Sequence, residues 1–249
     1  MALITINRTS STMMNQTMVK IAMPDAITAE EKLPTVWLLH GLGDDGSVWQ
    51  RKVPVEQYAI DHHWAIVMPG FNRSSYMNMA YGSRYGDYLE QELIPTMRSM
   101  LPLSVLSEQN WVVGNSMGGY GAMRLAFRHP NWFSAVATMS AVADLNSIKA
   151  IMPDYQAVFG PDDCGIEAAQ LTSVLSQADV LAVQKLRFYQ SVGQDDPFKK
   201  DNDTLVHQLT TEYGLSIAYH VEPGNHSWQF WRDQLPVVLD WLAQIQKKN

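Results

Sequence analysis

Short apolar runs recur along this chain, and longer segments with apolar residues at helical spacing separate them. A short continuous apolar run bounded by turn residues is typical of a β-strand that is buried on both faces. Strands are predicted at residues 35–39, 65–68, 111–113, 134–139, 186–192 and 216–222. Residues 17–23 instead alternate between apolar and polar and end at Pro24, which predicts antiparallel strands at an edge of the sheet.

The segments between the strands carry the helical pattern. Apolar residues at helical spacing predict an amphipathic helix over 87–101 despite Pro95, and further helices over 203–213 and 227–247. Strands that alternate with helices at this spacing predict an α/β fold, in which a mostly parallel sheet has helices on both faces. In such folds the functional residues lie at the carboxyl ends of the strands.

The length and composition predict a single domain. The chain has 249 residues, of which 46% are hydrophobic, and this is enough to bury one large core. No internal repeat or change in composition marks a linker, so the domain is expected to span residues 1–249. Prolines and glycines interrupt the helical patches of residues 144–184, and this segment is predicted to be an insertion over the strand ends.

Charge and cysteine content exclude several classes of function. The net charge is −7 and no dense run of Lys or Arg is present, so nucleic acid is not an expected partner. The single cysteine, Cys164, has no partner for an internal disulfide and no companions at zinc-ligand spacing. No stretch reaches the length of a membrane span, and residues 1–16 lack the features of a secretory signal. A cytoplasmic protein is therefore expected.

The sequence WVVGNSMGGYGAMR at 111–124 predicts a strand, a tight turn and a helix around Ser116. A turn of this kind lifts a serine hydroxyl above the sheet and leaves a backbone N–H free at the start of the helix, as a nucleophilic serine requires. The tight turn needs small residues two positions before and after the serine, and these are Gly114 and Gly118. The alternative is a glycine-rich turn whose serine only caps the helix.

A nucleophilic serine needs a histidine as base and an acid that orients the histidine. Asp196 follows the strand predicted at 186–192 and is the preferred acid, while Asp195 and Asp144 are alternatives because spacing alone does not fix which strand supplies it. His226 lies between the last strand and the last helix, which completes the order Ser, Asp, His along the chain. Each aspartate could instead be a turn residue that bonds to its own backbone.

The sequence His40-Gly41-Leu42-Gly43 follows an early buried strand. Enzymes with a nucleophilic serine on a turn of this kind use a backbone N–H from such a loop as the second donor to the oxyanion that forms on the substrate. The expected donors are the backbone N–H groups of Leu42 and Met117. His40 is expected to brace this loop rather than to react.

With these residues assembled, the chain resembles the α/β-hydrolases, and within them the esterase D and tributyrin esterase family, which includes S-formylglutathione hydrolases. The matching segments are LLHGLGDDGSVW (38–49), NRSSYMNMAYG (72–82), GNSMGGYGAM (114–123), GQDDPF (193–198) and PGNHSWQFWR (223–232). The resemblance implies the α/β-hydrolase fold, with Ser116 as nucleophile, Asp196 as acid and His226 as base. Asn115 differs from the His or Leu that often precedes the serine in this family.

The resemblance implies a serine carboxylesterase that hydrolyses short-chain acyl esters through an acyl-enzyme, without a metal or an organic cofactor. The expected partner is a small ester, and Trp49, Tyr76 and Trp228 are candidate substrate contacts, although each would also suit the core. An S-formylglutathione thioesterase is the main alternative. Acyl transfer to another alcohol and a non-catalytic binding protein are further alternatives, and a homo-oligomer is left open.

Overall fold

The computed structural model describes residues 2–162 and 164–247. The regular structure of these residues consists of eight β-strands and eleven α-helices, with one π-helical and three 3-10 segments. The strands are β1 (Ala2–Ser10), β2 (Asn15–Met23), β3 (Thr35–Leu39), β4 (Ala65–Pro69), β5 (Asn110–Asn115), β6 (Ala135–Met139), β7 (Arg187–Gly193) and β8 (Ile217–Glu222). The helices are α1 (Val48–Lys52), α2 (Val55–His62), α3 (Tyr85–Asp87), α4 (Ile94–Met100), α5 (Met117–Arg128), α6 (Gln156–Phe159), α7 (Cys164–Ala169), α8 (Leu171–Ser176), α9 (Val180–Val183), α10 (Lys199–Thr211) and α11 (Trp228–Gln246).

All eight strands form one sheet in the order β1-β2-β4-β3-β5-β6-β7-β8. β1 pairs antiparallel with β2, β2 pairs antiparallel with β4, and the remaining neighbours are parallel. The predicted mostly parallel sheet with antiparallel strands at one edge is therefore confirmed. β5 lies between β3 and β6, so the end of the strand that precedes Ser116 is at the centre of the sheet.

Side chains on the two faces of the sheet belong to two separate apolar cores. In β3, Trp37 and Leu39 enter one core, whereas Val36 and Leu38 enter the other, because successive side chains of a strand point to opposite faces. The first core is covered by α3 to α10, and the second by α1, α2 and α11. Helices therefore cover both faces, as in the α/β-hydrolase fold that the sequence predicts.

The helix predicted over 87–101 is present, but it is not regular. A π-helical segment, Tyr88–Leu93, joins α3 to α4, and Pro95 lies in the first turn of α4. Proline has no N–H to donate to the carbonyl four residues earlier, so the hydrogen bonds before Pro95 follow a wider spacing. The apolar pattern alone does not reveal this change.

The described residues of the segment 144–184 form a 3-10 helix, Leu145–Ala150, and four short α-helices, α6 to α9. Its apolar side chains pack in the same core as α5. The Tyr120 hydroxyl on α5 donates to the Ala169 carbonyl at 2.7 Å, and the Ala80 N–H donates to the Val158 carbonyl at 2.9 Å. The segment is thus attached to α5 and to the loop that follows β4, and its position over the strand ends stays a prediction. Within the described ranges, no helix combines the length and the apolar character that crossing a membrane requires.

Candidate active site

Ser116 lies in the turn between β5 and α5, with backbone angles φ 52° and ψ −120°. A positive φ is rare for a residue with a side chain and costs free energy. Two backbone hydrogen bonds hold this conformation: the Ser116 N–H donates to the Met139 carbonyl at 3.0 Å, and the Val142 N–H donates to the Ser116 carbonyl at 3.1 Å. The residues at the end of β6 therefore fix the turn that carries the serine.

Gly114 and Gly118 make this turn sterically feasible, as the sequence predicts. A Cβ on Gly114 would overlap the Gly118 carbonyl, and a Cβ on Gly118 would overlap the Leu39 carbonyl at the end of β3. The start of α5 therefore packs directly on the ends of β5 and β3.

Asp196 and His226 lie on neighbouring loops that follow β7 and β8. The Gln194 N–H donates to the Glu222 carbonyl at 2.8 Å, and the Asp195 N–H donates to the Gly224 carbonyl at 2.9 Å. These backbone bonds connect the two loops at their start, so the acid and the histidine are held at a fixed separation.

The three side chains form one chain of hydrogen bonds. His226 Nε2 lies 2.9 Å from Ser116 Oγ, and His226 Nδ1 lies 2.9 Å from Asp196 Oδ2 and 3.2 Å from Oδ1. Because an ionised carboxylate can only accept, Nδ1 carries the proton, and Nε2 is left to accept from the serine hydroxyl. This is the tautomer that a general base needs.

The Asp196 carboxylate is held ionised in a buried position. Its side chain is fully buried, and burial acts to raise the pKa of Asp196. The hydrogen bond and electrostatic attraction of His226 act in the opposite direction, together with the Phe198 N–H, which donates to Oδ1 at 2.9 Å. The pKa of Asp196 is consequently below its usual value.

The two alternative acids lie elsewhere. Asp195 is exposed, and Asp144 accepts hydrogen bonds from the Asn146 N–H at 2.9 Å and from Gln170 Nε2 at 2.6 Å. Asp144 is thus a turn residue that bonds to its own backbone. The carboxylate that contacts His226 is that of Asp196.

Two backbone N–H groups belong to residues next in sequence to Ser116 or to a neighbour of it: Met117 follows the serine, and Leu42 follows Gly41, on which a Cβ would lie 3.5 Å from Ser116 Cβ. Met117 is the first residue of α5, so its N–H has no acceptor within the helix. Leu42 lies in a turn that the Asp44 N–H closes by donating to the Gly41 carbonyl at 3.3 Å. In the described part of the chain, neither N–H donates to a protein acceptor, so both can donate to a bound oxygen.

The candidate substrate contacts differ in exposure. Trp49 and Tyr76 are both 0% exposed, and each donates a hydrogen bond to the backbone that leads into the loop 40–43. Their burial does not fit the expected contact with substrate, since neither presents a free surface. Trp228 is half-buried and packs edge-on against Trp49, with ring centroids 5.0 Å apart.

Two aromatic neighbours of His226 carried no assigned role in the sequence. Phe198 and Trp231 each contact the imidazole in an edge arrangement, at centroid distances of 4.9 and 5.0 Å. They confine the ring without bonding to its nitrogens. The signal was present, since Phe198 ends GQDDPF and Trp231 ends HSWQFW, but an aromatic residue near a motif does not by itself identify a contact.

Comparison with known proteins identifies a family and relatives that are esterases. The Esterase family, described as "Putative esterase", matches residues 10–242. An acetyl esterase of Caldicellulosiruptor saccharolyticus is 26% identical over 227 residues, covering 86% of this chain and 85% of the relative.

Solved structures show the same similarity. FphF, a fluorophosphonate-binding serine hydrolase of Staphylococcus aureus, has 27% identity and a TM-score of 0.89, with 97% of this chain and 98% of FphF covered. The S-formylglutathione hydrolase FrmB of the same organism has 25% identity and a TM-score of 0.86, with the same coverage. Since the family match spans nearly the whole chain, this protein belongs to the Esterase family and is a serine hydrolase.

Proposed function

We propose that this protein is a serine carboxylesterase that hydrolyses short-chain acyl esters of small alcohols, with Ser116 as nucleophile, His226 as base and Asp196 as acid. The observation that carries the proposal is the continuous chain of hydrogen bonds, 2.9 Å from Ser116 Oγ to His226 Nε2 and 2.9 Å from His226 Nδ1 to Asp196. A serine hydroxyl becomes a useful nucleophile when a base in this position takes its proton.

In the first step, His226 Nε2 takes the proton of Ser116 while Oγ attacks the carbonyl carbon of the ester. The carbonyl oxygen becomes an oxyanion, and the N–H groups of Leu42 and Met117 donate hydrogen bonds to it. The ester C–O bond then breaks, and His226 gives its proton to the departing alcohol. The acyl group is left on Ser116 Oγ.

In the second step, His226 takes a proton from water, and the water oxygen attacks the acyl carbon. A second oxyanion forms and collapses, the bond from the acyl carbon to Ser116 Oγ breaks, and Oγ recovers its proton from His226. Asp196 stays ionised throughout, and its charge stabilises the imidazolium that forms in each step.

The short acyl chain is supported by the similarity to an acetyl esterase over 86% of this chain. Trp228 is the candidate substrate contact that retains exposed surface. It lies on the first turn of α11, two residues after His226. We propose that its indole contacts the apolar part of the ester.

The second candidate function is hydrolysis of S-formylglutathione. The supporting observation is the similarity to the S-formylglutathione hydrolase FrmB, which extends over 97% of this chain. The same three side chains would serve for a thioester, because the acyl-enzyme and its hydrolysis do not depend on whether oxygen or sulfur leaves.

The test is a comparison of initial rates for wild type and Ser116→Ala on p-nitrophenyl esters from acetate to octanoate, with S-formylglutathione in the same panel. We expect the wild type to prefer the short esters and a folded Ser116→Ala protein to be inactive on all substrates. A higher kcat/KM for S-formylglutathione than for every ester would favour the second function. Retained activity in Ser116→Ala would exclude Ser116 as nucleophile.

A further inference from the structure

Three consecutive carbonyl groups at the end of β3 each accept a hydrogen bond from a side chain. Trp49 Nε1 donates to the Leu39 carbonyl at 3.3 Å, the Tyr76 hydroxyl donates to the His40 carbonyl at 2.8 Å, and His40 Nδ1 lies 2.8 Å from the Gly41 carbonyl. The next residue is Leu42, whose N–H is a proposed oxyanion donor. The backbone that leads to this donor is therefore fixed from three directions.

The His40 ring has a defined tautomer. The Phe71 N–H donates to His40 Nε2 at 2.8 Å, so Nε2 is unprotonated and Nδ1 carries the proton that is donated to the Gly41 carbonyl. His40 is fully buried, and burial lowers the pKa of its imidazole, which keeps the ring neutral.

Peptide planarity converts these carbonyl contacts into orientation of N–H groups. In a trans peptide the C=O of one residue and the N–H of the next lie in one plane and point in opposite directions. Fixing the Gly41 carbonyl therefore fixes the direction of the Leu42 N–H. The His40 carbonyl belongs to the preceding peptide, His40–Gly41. Fixing that carbonyl fixes the plane of this peptide and so the start of the Gly41–Leu42 peptide.

Tyr76 reaches its position through a strained loop. Asn72, Ser75 and Tyr76 all have positive φ, at 48°, 51° and 57°. Such backbone angles cost free energy and persist where the surrounding structure holds them. The Tyr76 ring also packs against Gly121 of α5, where a Cβ would overlap the ring. Both features accommodate a fully buried phenol beneath the loop 40–43.

We infer that Tyr76, assisted by Trp49, is a positioning residue for the oxyanion-binding N–H of Leu42. This inference rests on the proposed esterase function. Tyr76 touches no reacting atom and acts through the His40 peptide. The motif NRSSYMNM therefore contributes to catalysis through the backbone of the loop 40–43 rather than through contact with substrate.

The test is Tyr76→Phe, which removes only the hydroxyl. We expect kcat for p-nitrophenyl acetate to fall about 10- to 100-fold, less than the roughly 10²- to 10³-fold cost of removing an oxyanion donor, because the N–H is misdirected rather than lost. KM should change less than about twofold. An alkyl trifluoromethyl ketone, which adds to the serine to form an oxyanion, should bind more weakly by the same factor as kcat/KM falls.

Tyr120→Phe is the matched control. Tyr120 is equally buried, and its hydroxyl also donates to a backbone carbonyl, that of Ala169 at 2.7 Å, but in the segment 144–184. We expect a comparable decrease in melting temperature for both variants and a lower kcat for Tyr76→Phe alone. Trp49→Phe removes the donor to the Leu39 carbonyl. It should lower kcat and the affinity for the trifluoromethyl ketone as Tyr76→Phe does, but by a smaller factor, and it tests the inference if Tyr76→Phe does not fold.

Two results would overturn the inference while the esterase function stands. In the first, Tyr76→Phe and Tyr120→Phe have the same kcat. In the second, Tyr76→Phe has a lower kcat but binds the trifluoromethyl ketone as tightly as wild type. In both cases Ser116→Ala would remain inactive. If Ser116→Ala were active, the proposed function itself would fail, and this inference with it.

Discussion

At Ser116 the backbone holds a conformation that favours glycine, although the proposed chemistry needs a side chain there. The φ of 52° is expected to cost about 1–3 kcal/mol for a residue with a Cβ. Ser116→Gly should therefore be more stable than Ser116→Ala by about 1 kcal/mol, after the greater flexibility of glycine in the unfolded chain is subtracted. Urea unfolding at neutral pH measures this difference.

The two Ser116 variants control for each other, because both lose the hydroxyl and its hydrogen bond to His226. Both are expected to be inactive. If the Ala variant were as stable as the Gly variant, the backbone at Ser116 would not be strained. The steric reason for Gly114 and Gly118 would be unaffected, because it rests on overlap with neighbouring carbonyls.

The Asp196 carboxylate is predicted to be essential for the rate. Asp196→Asn should lower kcat by about 10⁴-fold, the size of effect found when the acid of such a triad becomes an amide. The physical reason is that an amide can donate to Nδ1 and so hold the wrong tautomer of His226, and that the imidazolium loses its counter-charge. Steady-state kinetics on p-nitrophenyl acetate provide the measurement.

Asp195→Asn is the matched control, since Asp195 is adjacent, exposed and not bonded to His226. Its kcat should stay within about twofold of wild type, as expected for a surface substitution. Equal losses in the two variants would contradict the assignment of the acid to Asp196.

At the residue scale, the sequence located the three side chains that are hydrogen-bonded to one another at Ser116 better than it placed the aromatic side chains around them. The chain order and the strand ends pointed to Ser116, Asp196 and His226 because catalytic chemistry restricts the residue types that can serve. Trp49 and Tyr76 were expected near substrate and are instead buried. Whether an aromatic side chain turns inward depends on its neighbours in space, and a linear motif does not contain that information.

Among the elements, β2 to β8 were predicted to within two residues at each end, whereas β1 received no predicted bounds. Continuous apolar runs account for the strands that are buried along their length, such as β3 and β4. The strand predicted at 186–192 is Arg187–Gly193, and that predicted at 216–222 is Ile217–Glu222. The helix over 87–101 was predicted at the correct position, but part of it is a π-helix rather than an α-helix. Its π segment, Tyr88–Leu93, is a change of hydrogen-bond spacing, which leaves little trace in the apolar pattern.

The π segment has a structural consequence through Glu92. Its carboxylate accepts from Arg8 Nη1 at 2.8 Å, from Ser10 Oγ at 2.9 Å and from the Thr12 N–H at 2.9 Å. These contacts tie the turn between β1 and β2 to the helix. Glu92→Gln should lower the free energy of unfolding by about 1–3 kcal/mol, the cost of weakening charge-assisted bonds in a buried position.

Urea unfolding at neutral pH is the measurement, and Glu30→Gln is the control. Glu30 is exposed, so its substitution should change stability by less than about 0.5 kcal/mol. A Glu92→Gln protein as stable as Glu30→Gln would show that the hairpin does not depend on this carboxylate. Esterase activity should stay near that of wild type in both variants, because Glu92 lies outside the proposed site.

For the whole molecule, two buried carboxylates link stability to pH. Glu90 accepts from Arg128 Nε at 2.9 Å and from His129 Nε2 at 2.9 Å. Burial acts to raise the pKa of Glu90 and of Glu92, but their hydrogen bonds, with the charge of the arginines beside Glu90, lower both to about 2. The unfolded chain retains ordinary glutamate pKa values near 4.5.

A carboxylate whose pKa is lower in the folded state than in the unfolded state makes the protein less stable as the pH falls. Between about pH 4.5 and pH 2 the unfolded state binds more protons than the folded state, so stability is complete above this window and falls as the pH is lowered through it. Glu90 should contribute about 3 kcal/mol to that fall, as an order of magnitude. Glu92 should contribute less, because it lies nearer the surface and solvent screens its contacts. Asp196, whose pKa is also lowered, adds to the fall in the same direction.

Urea unfolding in a series of buffers through this window measures the effect. The variant carrying both Glu90→Gln and Glu92→Gln should start from a lower free energy of unfolding at neutral pH and should lose less of it on acidification, because two of the depressed carboxylates are gone. If the double variant and wild type declined in parallel, these glutamates would not be the groups that drive acid unfolding. The sensitivity would then lie in other carboxylates, of which Asp196 is the first to test, and its amide variant would have to show the flatter profile instead.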